Sequence, residues 1–239
     1  MLFSIVFWCG KLLLSASPAR RGRWRAWVFR RWSATLLVIM GVRLTVQGNP
    51  PRSPFILVSN HLSYVDVLVL ASRLDAVFVA KKEVAGWPVL GPICRALDTI
   101  FIDRASRRDL SRVLEAARDA FSRGDGVVIF PEGTSSAGRE VLPFLPSLLE
   151  LPTRLGEPVH HVSLTYTTAI DDPSPERTVC WWGDMTFPGH FWGVLGLSRI
   201  DVRLAFGLEA LHATNRKDLA AALHRAVSAS FEPVVGSVT

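Results

Sequence analysis

The chain has 239 residues, 49% of them hydrophobic and 20% charged, with 8 Trp against 2 Tyr and a net charge of +6. That length holds one full core with an attached segment and excludes two average domains, while so apolar a composition makes membrane contact a live option. Cys9, Cys94 and Cys180 are odd in number and lack a Cys-x-x-Cys spacing, which points away from a disulfide framework or a zinc site and towards a cytosol-facing protein.

Lys11, Arg20, Arg21, Arg23, Arg25, Arg30, Arg31, Arg43 and Arg52 all precede the first acidic residue, Asp66, so the positive charge lies at the N-terminal end. Such a segment suits the phosphates of nucleic acid or of anionic lipid. The interleaved Trp24, Trp27, Phe29 and Trp32, and the apolar flanks from Leu2 to Leu14 and from Leu36 to Val42, favour a membrane surface with anionic lipid and no nucleic acid. Lys11, Arg20, Arg30, Arg31 and Arg43 cut these flanks into uncharged runs shorter than the roughly 18 to 20 residues that a crossing needs. Residues 1–48 are therefore expected to form membrane-associating helices lying in the interface, peripheral or monotopic on the cytoplasmic face. A secretory signal fits less well, because no basic stretch precedes the apolar start and Lys11 interrupts it. The plainer alternative is two amphipathic helices packed on the domain with solvated arginines.

Asn49-Pro50-Pro51-Arg52-Ser53-Pro54 reads as a linker, after which residues 49–239 are expected as a single domain. Phe55 to Ser59 is a short apolar run suited to a buried strand, followed by a helix from Tyr64 to Leu74, a strand from Ala76 to Ala80, a broken helical region from Pro88 to Leu97 and a strand from Thr99 to Ile102. Leu110, Val113, Leu114, Ala117 and Phe121 recur at helical spacing, Gly124-Asp125-Gly126 ends that helix, and Val127 to Phe130 is a further buried strand. Val159 to Thr167 and Ile200 to Phe206 read as strands, and Leu219, Leu223, Val227 and Phe231 as one face of a last helix. This alternation predicts an α/β fold with a largely parallel sheet covered by helices on both faces. Ligands in such folds sit at the carboxyl ends of the strands, which selects the loops carrying Asn60-His61, Asp103-Arg104 and Pro131-Glu132-Gly133-Thr134.

The stretch Asn60-His61-Leu62-Ser63-Tyr64-Val65-Asp66 supports two compatible readings. Ser63 and Asp66, three apart, have the spacing of a capping box, which needs no chemistry. His61 precedes the cap and is free to fold back, so Asp66 can bind one ring nitrogen, fix the tautomer and leave the other nitrogen to take a proton. Imidazole is the side chain whose ordinary titration lies nearest neutrality, which suits a general base.

These residues resemble the glycerolipid (lysophospholipid) acyltransferases, typified by bacterial 1-acylglycerol-3-phosphate acyltransferase. The first motif of that family, Asn-His, four residues and Asp, matches Asn60-His61 and Asp66; the second resembles Phe101-Ile102-Asp103-Arg104; the third, Phe-Pro-Glu-Gly-Thr, stands complete at residues 130–134. The resemblance covers roughly residues 55–170 and takes in Lys81, Lys82 and Gly91 between motifs. It implies catalysis by His61 and Asp66, with His61 deprotonating a lysolipid hydroxyl that attacks acyl-CoA or acyl carrier protein directly, with no bound cofactor and no metal. It further implies acceptor binding by Asn60, Arg104, Glu132, Gly133 and Thr134, with Lys81 and Lys82 as weaker phosphate contacts. The expected acceptor is 1-acylglycerol 3-phosphate, giving phosphatidic acid.

The chain departs from the pattern where Thr134 is followed by Ser135-Ser136 rather than Arg-Ser, where Leu145 replaces a basic residue, and where Val159-His160 replaces Val-Pro. Members acting on lyso-ornithine lipid are similar between Thr134 and Gly138, so that acceptor is the alternative. His160 and His161 are neighbours in a strand, point to opposite faces and read as substituted core residues. Two readings from other classes are a noncatalytic lipid-binding protein, against which His61 with Asp66 argues, and a metal-dependent hydrolase using His61, Asp66 and Glu132, for which no further histidine stands at a ligand spacing.

Overall fold

The structure, a computed structural model, describes residues 18–88, 90–103 and 109–234. The apolar flank from Leu2 to Leu14, and Arg104 with its neighbours Arg107 and Arg108, lie outside the described residues. The chain opens with α1 (Pro18–Ile39), β1 (Val42–Gln47), β2 (Ile56–Ser59), α2 (Val65–Ala71) and β3 (Ala76–Lys81). A 3₁₀ turn at Lys82–Gly86 leads to α3 (Leu90–Ala96), β4 (Ile100–Ile102), α4 (Asp109–Ser122) and β5 (Gly126–Ile129). A second 3₁₀ turn at Pro146–Leu149 precedes α5 (Glu150–Leu155), β6 (Val159–Thr168), α6 (Pro175–Thr178), α7 (Phe187–Leu195), β7 (Ile200–Phe206) and α8 (Arg216–Ser230).

The seven strands form one sheet in the order β1-β7-β6-β2-β5-β3-β4. All neighbours run parallel except β6 and β7, so β1 and β7 oppose the rest. Alternation along β2 and β5 divides the core between two faces. Leu57 and Val128 pack with Phe29, Val65, Val69 and Val194 of α1, α2 and α7. Ile56, Val58, Val127 and Ile129 pack with Val113, Ala117, Leu223 and Val227 of α4 and α8. β2 is buried at every position because it lies between β5 and β6 with helices above and below, which is why it reads as an unbroken apolar run.

The helical flank expected to reach Val42 instead ends at Ile39, and Gly41 turns the chain at φ +68° into β1. Val42, Leu44 and Val46 then alternate with the exposed Arg43, Thr45 and Gln47, and the strand pairs along β7. α1 packs on the sheet through Phe29 and Leu37, with Met40 just past its end, and its arginines divide between two environments. Arg25 is buried against Asp98 and Asp125, each at 2.7 Å, and Arg30 meets Asp75. Arg20, Arg21, Arg23 and Arg31 remain exposed. No helix among the described residues is long and apolar enough to cross a membrane.

Candidate active site

β2 ends at Ser59, and the chain turns through Asn60 to Tyr64 before α2 begins. Asp66, fully buried in the first turn of α2, organises this loop: its Oδ2 accepts hydrogen bonds from the amides of Leu62 (2.7 Å) and Ser63 (3.0 Å) and lies 2.8 Å from His61 Nδ1. Asp66 thus closes the helix start and holds the imidazole at once, so the structural and the chemical readings of this stretch coincide. The His61 side chain stays 22% exposed, and its ring lies on that of Phe130 at 4.1 Å between centroids and 19° between planes.

The loop after β5 fixes the backbone of His61 from the other side. His61 N donates to Glu132 Oε1 at 3.0 Å, and Ser136 N donates to His61 O at 3.0 Å. Gly133, at φ +77°, lets the chain reverse between Glu132 and the exposed Thr134. Burial pushes the Glu132 carboxyl up to about 8, the Asp66 charge adds to the rise, and the amides of His61 and Leu142 pull the other way. Burial also holds Tyr64, Tyr166 and Cys180 well above their ordinary values, so these groups around Asp66 stay protonated.

His61, Asp66 and Glu132 therefore meet at the carboxyl ends of β2 and β5, with Gly133 and the exposed Thr134 next in the loop. Asn60, expected among the acceptor contacts, has another task. Its amide nitrogen donates to Leu164 O at 2.9 Å and its oxygen accepts from Leu164 N at 2.8 Å, with no exposed surface left, so it ties the loop to β6. Lys81, the last residue of β3, and Lys82 after it are exposed, and Lys82 Nζ lies 3.3 Å from Asp103 Oδ2. Two participants carried no signal as site residues: Phe130, which supplies the platform under the imidazole, and Tyr166, whose hydroxyl donates to Asp66 Oδ1 at 2.7 Å. Phe130 opens the Phe-Pro-Glu-Gly-Thr stretch without a role of its own being implied, whereas Tyr166 stands in a strand legible only as core.

Ser135 and Ser136, which stand where the family pattern has Arg-Ser, turn inward. Ser135 Oγ donates to Trp181 O, and Ser136, buried, accepts at Oγ from Gly138 N. His160 and His161 face neither Asp66 nor His61: His160 meets the Phe55 ring edge-on, and His161 packs on Gly207. Among the described residues no group of three or more His, Cys, Asp or Glu side chains is arranged to hold a metal ion.

A family model described as Acyltransferase matches residues 42–165, from the first residue of β1 to the residue before Tyr166. The chain belongs to the acyltransferase family. Its relatives include a lyso-ornithine lipid O-acyltransferase of Rhizobium meliloti, 33% identical over 82% of this chain and 71% of that one. One of the same name from Rhodobacter capsulatus is 34% identical over 80% and 71%. A 1-acyl-sn-glycerol-3-phosphate acyltransferase of Neisseria meningitidis is 29% identical over 72% and 67%. The fold of this acyltransferase matches the crystal structure of a 1-acyl-sn-glycerophosphate acyltransferase from Thermotoga maritima, with a TM-score of 0.69 at 21% identity, covering 94% of this chain and 87% of that one. The expected α/β architecture with a mostly parallel sheet is thereby found, and the enzyme transfers acyl groups.

Proposed function

We propose that this acyltransferase moves a fatty acyl group from acyl-CoA or acyl carrier protein to the free hydroxyl of a lysolipid at a membrane surface. The observation that carries this is the 2.8 Å contact between His61 Nδ1 and Asp66 Oδ2, with the rest of the imidazole partly exposed at the carboxyl end of β2. In this reading Asp66 holds the Nδ1–H tautomer, and His61 Nε2 takes the hydroxyl proton as the oxygen attacks the thioester carbonyl. The tetrahedral intermediate then expels the thiolate, and the imidazolium returns the proton to sulfur. Ser59 and Ser63 are fully buried, which favours direct transfer over an acyl-enzyme.

For the acceptor, lyso-ornithine lipid is the reading the loop geometry favours. Ser135, which stands in place of a potential phosphate-binding arginine, is spent on an internal hydrogen bond to Trp181 O, and two relatives named for that acceptor share 33% and 34% identity. The second reading, 1-acylglycerol 3-phosphate, is supported by Arg104 after Phe101-Ile102-Asp103, by Lys81 and Lys82, and by the Neisseria relative.

Membrane placement is supported by the outer face of α1. Trp24 and Trp27 stack at 5.2 Å, Arg31 lies over Trp27 at 5.9 Å, and Trp27, Val38 and Ile39 are 49%, 76% and 65% exposed. Such a face suits the boundary between acyl chains and anionic head groups, and a peripheral position on the cytoplasmic side gives access to both donors.

The test is mass spectrometry of products after incubation with both lysolipids and both donors. The expected result is acylated ornithine lipid in excess of phosphatidic acid. Phosphatidic acid in excess would select the second acceptor, and no product from any pair would remove the proposal.

A further inference from the structure

Asp66 has two carboxylate oxygens with different surroundings. Oδ2 collects the Leu62 and Ser63 amides and His61 Nδ1, all from its own turn. Oδ1 receives the phenol of Tyr166 at 2.7 Å, from a strand 100 positions further along the chain. The register explains how that strand arrives. β6 runs parallel to β2 with Ser59 opposite Val162, and it continues to Thr168 after β2 has ended. Leu164 therefore travels beside Asn60, whose amide it engages through both backbone groups, and Tyr166, two residues on and on the same face of the pleat, arrives at Asp66. The overhanging end of β6 is thus a template against which the histidine loop is set.

A fully buried tyrosine always needs a partner for its hydroxyl, and a partner alone assigns no role. The acceptor decides here, because the carboxylate that takes the phenol proton is the one that aims the imidazole. Oδ2 is already held by the Leu62 and Ser63 amides within the loop, and the Tyr166 hydroxyl adds a tether from β6, so that the carboxylate is fixed at both oxygens while it faces Nδ1. We infer that Tyr166 is a positioning residue for the His61–Asp66 pair, anchoring Asp66 Oδ1 so that Oδ2 holds one tautomer and one orientation of the ring. The inference rests on His61 acting as the base.

The titratable groups around the Asp66 carboxylate are His61 and Tyr64 from its own loop, Glu132 from the loop after β5, Tyr166 from β6 and Cys180 from the segment after α6. Burial and the Asp66 charge both raise the Tyr166 phenol, so it remains a donor throughout the pH range in which an imidazole works. A donor on Oδ1 withdraws charge from the carboxylate. Without it, Asp66 presents more negative charge to the ring and favours imidazolium, which moves the acid limb of the rate profile to higher pH.

The experiment compares kcat, KM and the pH profile of the wild-type protein with Tyr166→Phe, which keeps the ring and removes one oxygen. The expected result is kcat lower by about 10- to 100-fold, a KM for lysolipid within about twofold, and an acid limb displaced to higher pH. Replacement of Tyr166 by 3-fluorotyrosine, a stronger donor of nearly the same shape, displaces the limb to lower pH and keeps the test open should the Phe variant fold poorly. An unmoved limb, or the same direction of movement in both variants, would overturn the inference while leaving the base intact. His61→Ala at the wild-type rate would instead remove the base reading on which it rests.

Discussion

Glu132 stands where the two loops of the site join. Its Oε1 accepts the His61 amide, its Oε2 has no hydrogen-bond partner among the described residues, and it is 5% exposed. A carboxyl in that position is more readily kept neutral than charged, and its titration is pushed from the ordinary 4.5 up to about 8. The sign of the linkage follows: between those values the folded protein holds a proton that the unfolded chain releases, so this group's contribution to stability is greatest at the low end and is lost as pH rises towards 8. Glu132→Gln, which keeps an acceptor for the His61 amide and cannot ionise, is expected to flatten the decline of the unfolding midpoint between about pH 5 and pH 8. An equally steep decline in the variant would show that Glu132 is charged in the folded protein. At this scale much of the site was legible, since His61, Asp66 and Glu132 stand in motifs at strand ends and meet in space. The hydrogen bonds of Asn60 to Leu164 and of Tyr166 to Asp66 were not legible, because both depend on how far β6 overruns β2, and that is fixed by register rather than by neighbouring residues.

Among the elements, α1 has two kinds of arginine that a helical wheel of its sequence does not sort, because basic and aromatic residues occur on both sides of it. Arg25 enters the protein between Asp98 and Asp125, while Arg20, Arg23 and Arg31 accompany Trp24 and Trp27 outward. The buried side of α1 fits the reading of a helix packed on the domain, and the exposed side is the one on which the proposed lipid contact rests. Removing Arg25 leaves Asp125 buried at 3% exposure with one cation fewer, so Arg25→Ala is expected to destabilise the protein by about 3–5 kcal/mol, measured by denaturant unfolding. A change near zero would mean that Arg123, 3.3 Å from Asp125, suffices as its partner. The strands β2 to β7 were each legible as apolar or alternating runs between turn residues. β1 was not, because only Gly41 separates its alternating pattern from the apolar end of α1.

For the whole molecule, α1, α2 and α7 cover one face of the sheet and α4 and α8 the other, so α1 with its exposed Trp27 lies on the same side as α2, which carries Asp66. With α1 on a membrane as proposed, that arrangement would let a lysolipid reach His61 from the same side. Each exposed arginine near an anionic surface contributes about 1 kcal/mol, so Arg20→Ala with Arg23→Ala is expected to weaken binding to anionic vesicles by roughly 10-fold or more at low salt, and to leave binding to neutral vesicles unchanged. Equal binding of the variant and the wild type in a vesicle sedimentation assay would detach α1 from the membrane. The claim on which the rest depends is proton removal by His61, and the most direct measurement is kcat for acyl transfer by His61→Ala with its unfolding midpoint recorded alongside. General-base catalysis by His61 predicts a fall of about 10²- to 10⁴-fold at an unchanged midpoint; a folded variant that turns over at the wild-type rate would contradict it.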